Sequence, residues 1–256
     1  MATQRQALPD SSQTPTSSGT SANGTAAETR GYFPDYKLPE NHHFKVSLKF
    51  LSKPFLEKVV TKKGGCFLHY QPSDQPPIPV PAEVDRIQIA EQGGSLEEFL
   101  WVNEKQKLLT EKVLKGFHRG LEFYSREGNI YVKRSSDTKL FWQSTQQEPG
   151  IAIELNRNEE TEVFNMDNFR ETLTASVALG DYEKLRLPAI WFSFAQKWDR
   201  DSSPITTKLV WARVDPTRAC EMVEVVKPNV RSTESLESVH TGLFLFSNEA
   251  SQSVPQ

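Results

Sequence analysis

The chain has 256 residues and a formal net charge of −3 at pH 7, and 37% of its residues are hydrophobic. This charge balance argues against a dedicated nucleic-acid binder, because phosphate neutralisation requires clustered Lys and Arg. The sequence lacks both an apolar run long enough to span a membrane and the apolar core of a signal peptide. We therefore expect an intracellular protein with no membrane contact and no direct nucleic-acid contact.

Both ends of the chain are poor in large apolar side chains. Residues 1–40 are rich in Ser and Thr, and the last dozen residues look similar; residues 231–256 are predicted to form a flexible C-terminal tail. Such segments cannot offset an ordering cost of about 1–2 kcal/mol per residue, so we expect two disordered tails. Residues 41–230 are long enough for one domain with a substantial core. The two cysteines, Cys66 and Cys220, are too few for a disulfide framework and suit a reducing compartment.

The first elements are predicted as strands. Residues 44–51 alternate apolar and polar side chains, which is typical of a strand with one solvated face. Residues 55–60 and 66–70 resemble neighbouring strands, and the turn at 61–65 contains two glycines able to adopt positive φ. This pattern predicts a hairpin. Residues 71–81 carry five prolines and are expected to form an extended loop.

Two helices are predicted further along the chain. Asn103 with Gln106 resembles a capping box, and a stripe of apolar residues follows it before Gly120: Leu108, Leu109, Val113, Leu114 and Phe117. The second helix begins near Asn165 or Asp167 and ends at Gly180, with apolar residues every four positions: Phe169, Leu173 and Val177. Three strands are expected between the helices, at 120–124, 129–134 and 138–142.

Residues 190–216 combine two apolar strands with a polar connection. Ile190, Phe192 and Phe194 share one face of the first strand, and the second strand occupies 207–214. The connection at 197–204 is charged and contains Ser and Pro, which predicts an exposed loop. Asp215 and Pro216 then predict a helix start, with Asp215 as the N-cap.

These motifs resemble the C-terminal association domain of the interferon regulatory factors. The match in this block consists of Phe194, Ala195, Gln196, Lys197 and Trp198, then Lys208, Leu209 and Val210, and finally Val214, Asp215 and Pro216. Residues 119–142 and 162–173 resemble further family segments in the same order. The resemblance covers roughly 44–226 and implies an α+β, β-rich fold, a SMAD/FHA-like β-sandwich with flanking helices.

The resemblance also implies a function. Family members usually carry an N-terminal tryptophan-repeat DNA-binding domain, and nothing in residues 1–44 resembles it, since the first tryptophan is Trp101. The chain is therefore expected to regulate transcription in interferon and innate-immune gene control through protein association alone, as a DNA-binding-deficient isoform or dominant-negative. The implied partners are related interferon regulatory factors, STAT-type proteins or co-activators, and a second copy of the chain. The alternative is a phosphopeptide-binding signalling adaptor with no transcriptional role.

A basic cluster in some family members receives a phosphorylated serine. By spacing from Trp142, Arg134 matches the family arginine and Lys139 replaces a second basic position, with Arg157 as a compensating cation. Asp137 and Glu159 occupy positions at which a basic residue would strengthen phosphate binding. The competing interpretation is that these charges form a solvated strand edge.

The aromatic residues suggest a partner groove as a second hypothesis. Most strand aromatics are expected in the core: Tyr131, Phe141, Trp142, Trp191 and Trp211. Trp101 and Trp198 lie beside polar segments and are the predicted surface residues for partner binding.

Enzymatic activity is not expected, and neither is a metal or a cofactor. Cys66 and His69 are three residues apart on a predicted strand, so their side chains point to opposite faces. The other histidines lack Cys or carboxylate partners at ligand spacing, and the sequence contains no Gly-rich phosphate loop.

The C-terminal segment offers candidate phosphorylation sites at Ser247, Ser251 and Ser253. The resemblance implies that phosphorylation of such a tail releases autoinhibition and drives dimerisation. An ordinary solvated tail explains the same composition.

Overall fold

The computed structural model describes residues 38–90 and 103–227. These residues form strands, which are arranged in two sheets, and helices. The strands are β1 (Phe44–Phe50), β2 (Lys53–Val60), β3 (Cys66–Gln71), β4 (Asp85–Ala90), β5 (Leu121–Arg126), β6 (Asn129–Arg134), β7 (Leu140–Ser144), β8 (Ile153–Glu154), β9 (Glu160–Phe164), β10 (Ile190–Phe194) and β11 (Val210–Pro216). The helices are α1 (Glu104–Lys115), α2 (Met166–Ala178) and α3 (Thr217–Val226). Helices of this length and polarity cannot cross a membrane, and the described residues contain no other candidate span.

The strands form two sheets. The six-stranded sheet has the order β2-β1-β11-β10-β7-β8, and all of its pairs are antiparallel. The five-stranded sheet has the order β4-β3-β5-β6-β9, in which only the β3–β4 pair is parallel. The predicted β-rich α+β architecture with accompanying helices is therefore confirmed.

Aromatic side chains join the two sheets in the core. Phe123 of β5 lies against Phe192 of β10, with ring centroids 5.3 Å apart, and Phe117 lies 4.7 Å from Phe194. All four rings are fully buried. Because burial of one such side chain contributes about 1.5–3 kcal/mol, the contact of Phe123 with Phe192 helps to hold the sheets together, and Phe117 packs the turn after α1 against β10.

The predicted period-two pattern of the strands agrees with the burial of their side chains. In β1 the apolar members Phe44, Val46, Leu48 and Phe50 are all fully buried, and the two lysines between them are partly exposed. In β10 and β11 the predicted inner faces are buried as well, and Ile190 pairs with Val214 across the two strands. The predicted alternation is confirmed, but β11 begins at Val210 and not at residue 207, because residues 205–207 form a short 3-10 turn.

The predicted hairpin between the second and third strands is wrong. β2 pairs with β1 in the six-stranded sheet, whereas β3 pairs with β4 and β5 in the other sheet. Residues 61–65 therefore carry the chain from one sheet to the other. Gly65 has φ of +78°, and its carbonyl accepts a hydrogen bond from the N–H of Asp85 (2.8 Å), so the crossing is tied to the start of β4.

The predicted cap of α1 is present, and α2 begins where predicted, with Asn165 as its N-cap. The side chains of Asn103 and Asn165 accept hydrogen bonds from the N–H groups of Gln106 and Asn168, each at 2.9 Å. Gly180, with φ of +70°, follows α2 as predicted. The predicted apolar stripe of α1 is only partly buried: Leu114 is inaccessible to solvent, but the exposed fractions of Leu108 and Leu109 are 63% and 43%.

Asp215 does not cap α3, contrary to the sequence-based expectation. Its carboxylate accepts a hydrogen bond from Nε of Arg213 (2.6 Å) and lies 3.8 Å from Nζ of Lys45. Residue 215 belongs to β11, and the helix begins at Thr217 after Pro216 with no side-chain cap. The neighbouring cations hold the carboxylate beside the sheet, so it is not available to the helix N–H groups.

Candidate protein-binding surface

The structure brings the three predicted cations together at one end of the sheets. Arg134 ends β6, Lys139 precedes β7, and Arg157 lies in the segment between β8 and β9. Arg134 and Arg157 form a parallel backbone bridge, and the N–H of Asn158 donates to the carbonyl of Arg134 (2.7 Å). The predicted grouping is therefore present, and its chemistry depends on what each cation contacts.

Arg134 is a buried residue with an internal partner. Only 6% of its surface is exposed, and its Nη1 donates to the carbonyl of Thr138 (2.9 Å). Burial lowers the pKa of its guanidinium, while the carboxylates of Glu154 and Asp137 oppose that effect. Arg134 thus holds the turn that follows β6 and does not present its charge to solvent.

Lys139 and Arg157 are exposed but paired with carboxylates. Nζ of Lys139 lies 3.1 Å from Glu154, and Nη1 of Arg157 lies 2.7 Å from Asp137. Nε of Arg157 also donates to the carbonyl of Ser135 (3.2 Å). A phosphate at this place would have to displace these carboxylates. The alternative of a solvated strand edge fits Lys139 and Arg157 but not the buried Arg134.

The predicted surface position of Trp198 is wrong. Its side chain is only 4% exposed and belongs to a small apolar cluster over the outer face of the six-stranded sheet, whose other members are Phe141, Ala152, Ile205 and Trp211. The segment that carries Trp198 folds back onto the sheet because the indole buries a large apolar area there. Trp101 and the three candidate phosphorylation sites, Ser247, Ser251 and Ser253, lie outside the described residues.

Both cysteines are free thiols; Cys66 is buried and Cys220 is partly buried. Burial raises the pKa of the Cys66 thiol far above its usual value and raises that of Cys220 to about 12, so both stay protonated near neutral pH. Within the part of the chain that the structure describes, no group of three or more His, Cys, Asp or Glu side chains could hold a metal ion.

One cleft was not predicted from the sequence. It has a volume of about 460 Å³ and lies between the turn at 145–149, α2 and the segment at 184–188. Arg186 and Arg200 line it, although they are far from the predicted cluster in the sequence and belong to separate loops. The nearest sequence feature is the run of Arg186, Leu187 and Pro188, which by itself does not indicate a binding site.

A comparison with protein-family models identifies the family. The model described as interferon-regulatory factor 3 matches residues 41–227, which is most of the chain. The chain belongs to the interferon regulatory factor family.

Solved structures of interferon regulatory factors share the fold. A chain in the crystal structure of STAT2 in complex with IRF9 has a TM-score of 0.51 and 16% sequence identity; the match covers 74% of this chain and 99% of that chain. The crystal structure of the interferon regulatory factor 9 IAD domain has the same TM-score and identity, with 82% and 97% covered. The SMAD/FHA-like association-domain fold expected from the resemblance is thus confirmed.

This member of the interferon regulatory factor family carries the association-domain fold with a charge-compensated edge at the predicted basic cluster. The partner-binding roles of Arg134, Lys139 and Arg157 remain predictions. Their geometry shows a buried arginine and two paired cations in place of three free ones.

Proposed function

We propose that the chain is a non-enzymatic regulator of transcription that acts by binding other proteins in interferon and innate-immune gene control. Its partners in this proposal are related interferon regulatory factors, STAT-type proteins or co-activators, and it competes with full-length relatives for them. The observation that carries the proposal is the family match over residues 41–227, the region that also folds as the two-sheet domain.

The structural likeness adds support for the class of partner. One similar structure is that of STAT2 in complex with IRF9, in which a member of the same family contacts a STAT protein. The structural match covers 99% of that chain, so this protein contains a domain of comparable fold. A STAT-type partner is therefore the first to test.

The alternative of a phosphopeptide-binding adaptor draws less support from the described residues. A phosphate site requires free cations, since charge-assisted bonds supply most of its affinity. Here Arg157 and Lys139 already contact carboxylates, and Arg134 is engaged internally.

The experiment uses purified full chain, a full-length interferon regulatory factor and STAT2. DNA carrying the site of the full-length factor is immobilised, and the chain is added with and without STAT2. We expect the chain to join the DNA-bound complex or to remove STAT2 from it in a concentration-dependent manner. Failure to enter or deplete any such complex would contradict the proposal.

A second comparison separates the adaptor alternative. Phosphorylated and unphosphorylated versions of one partner peptide are tested against the wild type and Arg157→Ala. Loss of binding restricted to the phosphorylated form would favour the adaptor.

Localisation to the cytoplasm and nucleus belongs to the main proposal, and fluorescence microscopy of the tagged full chain tests it.

A further inference from the structure

The cleft beside α2 has an apolar floor. Phe169 and Leu173 of α2 and Leu185 of the neighbouring segment line it, and all three are buried. Pro188 and Val223 of α3 extend the same lining. A volume of about 460 Å³ falls within the range of about 300–1,000 Å³ that is common for binding clefts, so several side chains of a ligand fit at once.

The charged residues of the cleft are mostly cations. Lys184, Arg186 and Arg200 line it, against the single carboxylate of Glu148. Lys184 is held by Asp181 at 2.6 Å, but neither arginine forms an ion pair with a described residue. The guanidinium of Arg200 lies over the ring of Trp191, 5.6 Å from its centroid, which leaves its N–H edge available to an anion.

The walls of the cleft are fixed by hydrogen bonds. The side-chain amide of Gln146 donates to the carbonyl of Asn165 (2.7 Å) and accepts from its N–H (2.9 Å), so the turn at 145–149 is joined to the start of α2. The N–H of Thr145 donates to the carbonyl of Ala189 (3.0 Å), which joins the same turn to the opposite wall. A cleft held in this way is formed before any ligand arrives, which reduces the entropic cost of binding.

We propose that this cleft binds a short acidic peptide segment of a partner protein. Large apolar side chains of the segment pack on Phe169, Leu173 and Leu185, and its carboxylates contact Arg186 and Arg200. This inference deepens the proposed function, on which it rests, because it assigns a site and a chemistry to one partner contact.

Charge and shape decide among the classes of ligand. Nucleic acid requires a field of cations along its backbone, whereas this cleft has two unpaired arginines, one carboxylate and an apolar floor. The combination of two free guanidiniums with apolar contact area complements a segment in which acidic and apolar residues alternate.

The test measures binding of a fluorescein-labelled peptide of about ten residues in which Glu alternates with Phe and Leu. Fluorescence anisotropy with the full chain gives the affinity. We expect the double variant Arg186→Glu with Arg200→Glu to lower it by roughly tenfold or more, about 1.4 kcal/mol. Arg186→Glu alone, at an exposed position, should give an intermediate loss without affecting folding. The same peptide with Gln in place of Glu should bind more weakly to the wild type, and increasing salt should remove that difference.

The matched control is Lys139→Glu with Arg157→Glu, which makes the same change of charge at the predicted cluster. It should leave the peptide affinity within about twofold, since neither Lys139 nor Arg157 lines the cleft and exposed charges away from the site are screened by salt. Equal losses in the two double variants, or no binding by the wild type, would overturn the proposal. Self-association of the full chain that disappears in the Arg186 and Arg200 variant would assign the cleft to a second copy and overturn it as well. If the double variant Arg186→Glu with Arg200→Glu still binds STAT2, the proposed function stands, but the cleft does not have the role proposed for it.

Discussion

Arg134 ends β6 with its guanidinium almost out of contact with water. An arginine in this position can form strong bonds only with the groups that surround it, and here the carbonyl of Thr138 is the acceptor. Removing Arg134 takes a charge-assisted hydrogen bond from this buried carbonyl, which keeps only the hydroxyl of Ser136 as a donor (3.2 Å). The residue therefore contributes to the stability of the turn at 134–138.

Replacement of Arg134 by Ala is expected to lower the free energy of unfolding by about 1–3 kcal/mol. Lys139→Ala, which removes an exposed cation paired with Glu154, should change it by less than about 1 kcal/mol. Urea denaturation followed by tryptophan fluorescence measures both. Equal and small effects of the two substitutions would show that Arg134 is not structurally important.

His69 is a second residue whose behaviour depends on burial. Its ring is fully buried and stacks on Phe67, with centroids 5.0 Å apart and an angle of 19° between the planes. Neither ring nitrogen reaches a hydrogen-bond partner among the described residues. Burial lowers the pKa of His69, and the backbone of Tyr70 offsets only part of that effect.

This shift predicts a dependence of stability on pH. The unfolded chain, with a histidine pKa of about 6.5, takes up the proton more readily than the folded protein does. The free energy of unfolding should therefore fall as the pH decreases below about 6.5, and the His69→Phe variant should show a flatter dependence. Denaturation at several pH values measures the slopes, with His42→Gln as a control at a partly exposed histidine. Identical slopes for the wild type and His69→Phe would contradict this assignment.

Among the elements, the crossing at 61–65 has the largest effect on the architecture. It takes the chain from the edge of the six-stranded sheet into the five-stranded sheet, and Lys62 anchors it by donating to the carbonyl of Ala82 (2.8 Å). Gly65 at positive φ passes so close to β5 that a Cβ atom there would collide with the carbonyl of Phe123. Both features require glycine at this position.

Gly65→Ala is expected to lower the free energy of unfolding by about 3 kcal/mol or more, because backbone strain and collision add together. Gly150→Ala supplies the control, since a Cβ atom at that position has open space, and it should change stability by no more than about 0.5 kcal/mol. Chemical denaturation of the two variants gives the comparison. A tolerated Gly65→Ala would mean that the crossing can move away from β5.

At the scale of the whole molecule, the two sheets share one core in which Phe44, Phe123 and Phe192 meet. β1 and β11, which are neighbours inside the six-stranded sheet, come from opposite ends of the described chain and pair over seven residues each. Folding of this domain therefore requires contacts between distant parts of the sequence, which cost loop-closure entropy before they contribute stability.

A shortened chain tests the predicted domain limits. We propose that residues 41–230 fold without the segments at 1–40 and 231–256, both of which the sequence predicts to be disordered tails. The melting temperature of the shortened chain should lie within about 2 °C of that of the full chain, because segments that bury little surface contribute little free energy. Differential scanning calorimetry makes the comparison. A markedly lower melting temperature would show that a tail packs on the domain.

The strands and helices that the sequence predicted well have a strong local signal. The alternation in β1, β10 and β11 and the asparagine caps of α1 and α2 depend on neighbouring residues alone. β4, β8 and β9 were not predicted: β8 has only two residues, β4 pairs in parallel beyond a proline-rich loop, and β9 directly precedes the cap of α2. Of the predicted binding residues, Arg134 and Trp198 are buried, because the segments that carry them pack against residues distant in the sequence.

The amino-acid sequence by itself determined the membership of this chain in the interferon regulatory factor family, the alternation of its main strands and the starts of its first two helices. These follow from side-chain chemistry within a few residues. Tertiary structure alone decided that β2 and β3 enter different sheets and that the predicted cations contact carboxylates or carbonyls of the same chain. It also decided that two arginines from separate loops meet at one apolar cleft. The physical reason is that burial and charge pairing depend on which distant segments come into contact, and a linear pattern does not record those contacts.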